Sequence, residues 1–225
     1  MGASEEVRGL ARLVKQRLES LRRWGITEVP VSVLKQGRDS KVTALRRLEQ
    51  EVVACTRCAL YRTRTHHVFG EGTPAAKLVF VGEAPGREED LQGRPFVGAA
   101  GQLLTRMIEA IGLTRDEVYI CNVLKDRPPG NRTPRPEEVE ACAPYLIRQL
   151  AIIRPKVICT LGLIAAQTLL GPNLSITQIR GRLHYYRQIP VIPTFHPAYL
   201  LRNPSAKRFV WQDLKRVKAL LESET

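Results

Sequence analysis

Two hydrophobic patterns alternate along the second two-thirds of this chain. Short unbroken apolar runs rich in Val and Ile recur at LVFVG (78–82), VYICNV (118–123), KVICTL (156–161) and IPVIPTF (189–195). Runs of that length without polar alternation predict strands buried on both faces. Between them, apolar residues fall at helical spacing over 100–111, over 136–152 with Pro136 in the first turn, and over 163–170. A last helix is predicted over 206–221, burying Val210, Leu214, Val217 and Leu221. Strand and helix in alternation predict an α/β fold: three layers, α/β/α, around a central, mostly parallel four-stranded sheet.

The first part of the chain has a different rhythm. Residues 4–23 predict an amphipathic helix capped by Ser4, with Leu10, Leu13, Val14, Leu18 and Leu21 on one side. Its other side carries Arg8, Arg12, Lys15, Arg17, Arg22 and Arg23, which suits a solvated face or a DNA-contacting one. A breaker-rich link through Gly25, Pro30 and Gly37 follows, and a second helix over 42–54 leads into Cys55. The pattern divides the chain into a basic helical extension, 1–50, and a main domain, 51–225.

Charge adds a partner class. The 225 residues carry a formal net charge of +13, which favours a polyanion, nucleic acid first. No apolar run reaches the ~20 residues that a membrane span needs. The stretch MGASEEVRGL has no hydrophobic signal core, so a cytoplasmic location is expected. Five cysteines, an odd number, favour metal binding or buried thiols over disulfides.

The candidate chemistry sits at strand ends. GEAPG (82–86) follows the first predicted strand, Asn122 ends the second and His196 follows the fourth. Open α/β sheets bind ligands outside the carboxyl ends of their strands, so these three motifs are expected to converge. GEAPG carries one carboxylate, Glu83. It is neither a P-loop nor a dinucleotide fingerprint. The following polar loop adds Glu88, Glu89, Asp90 and Phe96, and Phe96 suits either a core plug or a stacking platform for a base. An Asn amide such as that of Asn122 complements the N3–H and O4 of uracil, whereas cytosine reverses that pattern and leaves buried polar groups unpaired. His196 could donate to uracil O2, where negative charge grows as a glycosidic bond breaks. Tyr199, Leu200 and Leu201, beside Arg202, suit a wedge that replaces a flipped nucleotide, or a turn packed on the core.

Taken in order, CTRC (55–58), GEAPG, CNVLKDRPPGNRTP (121–134) and FHPAYLLR (195–202) resemble the family 4 uracil-DNA glycosylases, the iron–sulfur branch of the uracil-DNA glycosylase superfamily. The resemblance runs from about Val52 to Leu221. It implies a uracil-DNA glycosylase-like fold and hydrolysis of the N-glycosidic bond of uracil in DNA, leaving an abasic site. By motif, Phe96 would stack on the extruded uracil, Asn122 would read its edge, backbone around Ala84 would bind the pyrimidine and His196 would steady the leaving anion. Glu83 is the first candidate to orient water or balance oxocarbenium charge, Glu89 the second and Asn131 a third. The family 1 enzymes carry an aspartate where this chain has Ala84, so simple analogy does not assign that role. Uracil-containing DNA, single- or double-stranded, is the expected partner, and a monomer the expected state.

The same resemblance implies a structural [4Fe–4S] cluster. Cys55, Cys58 and Cys142 match three of its cysteines, but Asp126 stands where the family has the fourth. Three explanations compete: Asp126 ligates iron through oxygen, Cys121 substitutes, or the cluster is incomplete or absent. Zinc on Cys55, Cys58 and Cys142 is a further option. Cys159, inside VICTLG, reads as a buried core thiol. The rival functions are a uracil-DNA-binding relative without catalysis and a cysteine-pair metalloprotein sharing the fold.

Overall fold

The computed structural model describes residues 40–223. The helix expected over 4–23 and its link lie outside the described residues. The described part opens with α1 (Lys41–Val53), capped by the Ser40 hydroxyl, which accepts from the Thr43 N–H at 3.3 Å. This helix runs across the expected domain boundary at residue 50, and Leu45, Leu48 and Val52 enter the same core as the sheet.

Six strands form one sheet: β1 (Glu71–Gly72), β2 (Leu78–Gly82), β3 (Tyr119–Asn122), β4 (Val157–Leu161), β5 (His184–Tyr186) and β6 (Ile189–Thr194), in the spatial order β1-β3-β2-β4-β6-β5. The four strands expected from the apolar runs are the central ones, and they pair in parallel. The expected four-stranded sheet is therefore extended by one antiparallel strand at each edge, β1 on β3 and β5 on β6. Both additions are short and only half-buried. They leave no continuous apolar run in the sequence because only one side of each is covered.

Alternate residues of the central strands feed two cores. Val79, Val81 and Ile158 point to one, with Leu146 and Leu150 of α4 (Pro136–Ile153). Leu78, Phe80 and Cys159 point to the other, with Leu104 and Ile108 of α3 (Ala99–Ala110) and Val210, Leu214 and Val217 of α8 (Lys207–Glu222). Strands apolar on both sides and helices on both faces follow from the same fact: each face needs its own cover. Leu221, expected in the core, is partly buried at its edge. Three shorter helices complete this part, α5 (Leu163–Leu170), α6 (Ile176–Ile179) and α7 (Pro197–Arg202). One more, α2 (Arg87–Gln92), lies where the sequence predicted loop. Among the described residues no helix is long and apolar enough to cross a membrane.

Among the parallel strands β2 comes first in the chain, with β3 on one side of it and β4 on the other. That reversal opens a crevice at the carboxyl ends of the strands. Gly82, Asn122 and Thr194 are the last residues of β2, β3 and β6.

Candidate active site

A cleft of about 510 Å³ opens at that edge, lined by Glu83, Ala84, Glu89, Phe96, Asn122, Asn131, His196, Tyr199 and Arg202 among others. The three motifs therefore converge as expected. Their turns are laced together: the Val123 and Leu124 N–H groups donate to the carbonyls of Gly82 and Glu83, both at 3.0 Å. A Cβ on Gly82 would meet Asn122 Oδ1 at 2.3 Å and the Phe96 ring at 2.5 Å. Only glycine lets both side chains close over the end of β2.

Asn122 is 1 % exposed, and its Oδ1 is buried without a hydrogen-bond partner. Such an acceptor costs free energy unless a ligand supplies a donor, on the order of 1–3 kcal/mol. Phe96 serves both readings of the sequence. It packs in the second core, yet it lines the cleft with its ring centroid 5.6 Å from that of His196. Its backbone is left-handed, φ 53°, and Arg115 holds it there by donating to the carbonyls of Phe96 and Pro95 at 3.1 and 2.9 Å. Gly101 allows that turn to close, since a Cβ there would meet the Phe96 carbonyl oxygen at 1.9 Å. Nothing in the local sequence points to Arg115, which acts from 19 residues away.

His196 accepts the Ala198 N–H at its Nδ1, 3.1 Å away. That bond leaves the ring proton on Nε2 in the neutral form. Burial, joined by the nearby Arg202 charge, lowers its pKa to about 4, although Glu89 opposes this and part of the ring still faces the cleft. A neutral imidazole with a fixed N–H donor results at pH 7.

The three candidates for the water-activating group differ sharply in their bonds. Glu89 accepts from the N–H groups of Gly86, Val97 and Gly98 at 3.1, 2.9 and 2.9 Å, so its carboxylate shapes the loop around the cleft. Asn131, left-handed at φ 55°, accepts from Arg127 Nε at 2.6 Å. The Glu83 side chain makes no hydrogen bond or ion pair among the described residues, and burial raises its pKa above the usual carboxylate value. Of the three candidates, Glu83 alone has a side chain without such a partner.

Leu200 corrects one expectation. It is 1 % exposed and packs in the second core, because α7 turns it inward while its neighbours face out. It cannot enter a base stack. Tyr199 and Leu201 are 39 % and 44 % exposed, with Arg202 exposed beside them.

Cys55, Cys58, Cys142 and Asp126 line one small cavity, as the resemblance implied. Cys121 and Cys159 are fully buried in the two cores and are not among its lining residues. Three cysteines and Asp126 share the lining of this cavity, but among the described residues no group of three or more His, Cys, Asp or Glu is gathered closely enough to hold a metal. Arg64 Nη1 donates to both Asp126 oxygens, at 3.1 and 3.0 Å, and Arg64 Nη2 donates to the Val53 carbonyl at 2.6 Å. Burial outweighs the Arg64 charge and raises the Asp126 pKa. Cys142 is pushed up to about 12 by burial, against the pull of Lys125.

An open parallel α/β sheet with a base-sized cleft at its switch point defines a class, and residues 69–215 match the family model described as the uracil DNA glycosylase superfamily. The chain is 48 % identical to a type-4 uracil-DNA glycosylase of Sulfurisphaera tokodaii, over 79 % of this chain and 84 % of that protein. It is 48 % identical to the one of Thermotoga maritima, over 79 % and 94 %, and 47 % identical to that of Archaeoglobus fulgidus, over 76 % and 90 %. The chain belongs to the type-4 uracil-DNA glycosylases.

Proposed function

We propose that the protein flips uracil out of DNA and hydrolyses its N-glycosidic bond, releasing free uracil and leaving an abasic site. The observation that carries this reading is the unpartnered, buried Asn122 Oδ1 at the floor of the cleft. Uracil N3–H supplies the missing donor, and the amide Nδ2 donates to O4. Cytosine would turn an acceptor, its N3, toward the same oxygen and pair nothing. Phe96 stacks on the flipped base. As the bond to C1′ breaks, the electron pair stays on N1 and negative charge spreads to O2. The His196 Nε2–H is placed to stabilise it. Glu83, as carboxylate, holds the water whose oxygen bonds to C1′ and balances the sugar's positive charge. The proton released by that water passes through Glu83 to solvent or to the departing uracil anion.

Leu201, Tyr199 and Arg202 form the DNA-facing turn, with Leu201 the residue placed to fill the vacated stack. Single- and double-stranded DNA are both taken as substrates in this reading, and a monomer suffices because every proposed catalytic and base-binding residue lies on one chain. Cys55, Cys58 and Cys142 would hold an iron–sulfur cluster. When bound, such a cluster supplies a cross-link between the chain after α1 and the helix α4, and its binding energy adds to stability. The test is direct: pure protein is incubated with oligonucleotides that differ only in uracil, thymine or cytosine at one position, and abasic sites are then cleaved. Cleavage confined to the uracil strand is expected. Binding to uracil-DNA without base release would leave only a binding protein.

A further inference from the structure

One almost fully buried charged side chain connects the two sites. Lys125 is 1 % exposed. Its side chain folds back three residues, and Nζ donates to the Asn122 carbonyl at 2.7 Å and to Gln149 Oε1 at 2.6 Å. Gln149 is itself anchored, donating through Nε2 to the Phe69 carbonyl at 2.9 Å and to the Tyr119 hydroxyl at 3.3 Å. The Phe69 ring lies under the same amine, 5.9 Å from its centroid. From the other direction, the Lys125 backbone N–H donates to Cys142 Sγ at 3.2 Å, and Lys125 lines the cysteine cavity.

Burying an amine this deeply is costly unless its hydrogen bonds are made. A Leu or Met would fill the same space without that cost. Two strong bonds into the backbone and side chain of fixed elements make the amine a strut between α4 and the last residue of β3. That residue is the one whose side chain must present an unpaired oxygen at a set angle. We propose that Lys125 is a positioning residue for base recognition: it fixes Asn122 in its reading orientation and ties that orientation to the cysteine cavity. The cavity would then influence which base is bound as well as how stable the fold is. This rests on the reading of Asn122 as the residue that contacts the uracil edge.

Lys125→Met, Asn122→Ala and the unaltered protein separate the possibilities. Two quantities are measured on each: the inhibition constant for free uracil, and the affinity for DNA carrying a stable abasic-site analogue, which has no base to read. Lys125→Met is expected to raise the uracil inhibition constant roughly tenfold. Its affinity for the abasic analogue should stay within about twofold. Asn122→Ala should show the same split. If Lys125→Met binds uracil normally while Asn122→Ala does not, the strut is overturned and the base-reading assignment stands. If neither changes uracil binding, the base-reading assignment itself is wrong. Equal losses in both measurements for Lys125→Met would make it an ordinary core residue and overturn the proposal. Should that variant not fold, Gln149→Leu removes the other anchor of the amine, together with its own bonds to the Phe69 carbonyl and the Tyr119 hydroxyl. A rise of about threefold in the uracil inhibition constant is then expected, and no rise overturns the proposal.

Discussion

The cleft and the cysteine cavity lie a few residues apart on the same stretch of chain, from Asn122 to Asp126, and they treat polar groups in opposite ways. At the cleft, Asn122 Oδ1 is buried and unpaired, the Glu83 carboxylate has no partner among the described residues, and His196 has one nitrogen fixed and the other left open. Around the cavity, Lys125 has two acceptors and Asp126 is held by Arg64 through both oxygens. Buried polar groups are as a rule paired on folding. Thr160 Oγ1 and the Tyr186 hydroxyl are buried and unpaired as well but do not line the cleft, so it is the place of Asn122 Oδ1 in the cleft that marks it as a group for a ligand to complete.

The difference can be broken most severely at the open groups. His196→Ala should slow single-turnover uracil release by about two to three orders of magnitude, the usual cost of removing a donor to a developing anion. Affinity for uracil-DNA should change far less, and a filter-binding titration beside the rate assay checks this. Glu83→Gln should cost a similar factor in rate while raising Tm slightly at pH 7. The sign follows from its raised pKa. Stability tied to the protonated carboxyl is full below the unfolded value near 4.5 and is lost as pH rises through the raised folded value. Glutamine removes that loss. The rate of the unaltered protein should fall as pH drops through that same raised value, since the carboxylate is the working form. In Glu83→Gln this acid limb should vanish.

A smaller contrast separates two adjacent leucines. Leu200→Ala should lower stability by about 2–5 kcal/mol, as a core cavity does, and reduce activity on duplex and single strands alike. Leu201→Ala should leave stability within about 0.5 kcal/mol. Its activity should drop several-fold more on duplex than on single-stranded substrate. Thermal melts with paired rate assays decide it, and equal strand penalties for Leu201→Ala would remove the wedge. The smallest effect is expected at the cavity. If the proposed iron–sulfur cluster occupies the cavity, Asp126→Cys should slow iron loss from anaerobically purified protein in air, because it offers the cluster a fourth thiolate. Iron content followed over time provides the check.

Much of this could be read from the sequence where the signal is local. The four central strands announce themselves because both their faces are buried, so their residues form unbroken apolar runs. Asn122, His196 and GEAPG could be placed because strand ends are where such folds bind ligands. What the sequence hid depends on distance or on which way a short helix turns. Glu71–Gly72 and His184–Tyr186 are strands only because a neighbour pairs with them. Leu200 and Leu201 look alike until α7 buries one of them. The partner of Asp126 lies 62 residues away, and Lys125 looks like any surface lysine after an apolar run until Gln149 is brought to it.

The central claim is that the unpaired oxygen of Asn122 selects uracil by its N3–H. Release of uracil and of 3-methyluracil from otherwise identical single-stranded oligonucleotides, measured under single-turnover conditions, tests it most directly, because methylation replaces that donor with a methyl group and leaves O2 and O4 in place. A preference for uracil of at least about a hundredfold is predicted for the unaltered protein, from a lost hydrogen bond together with a buried acceptor left unpaired. In Asn122→Ala the preference should shrink to a few-fold. Equal release of the two bases by the unaltered protein would contradict the account.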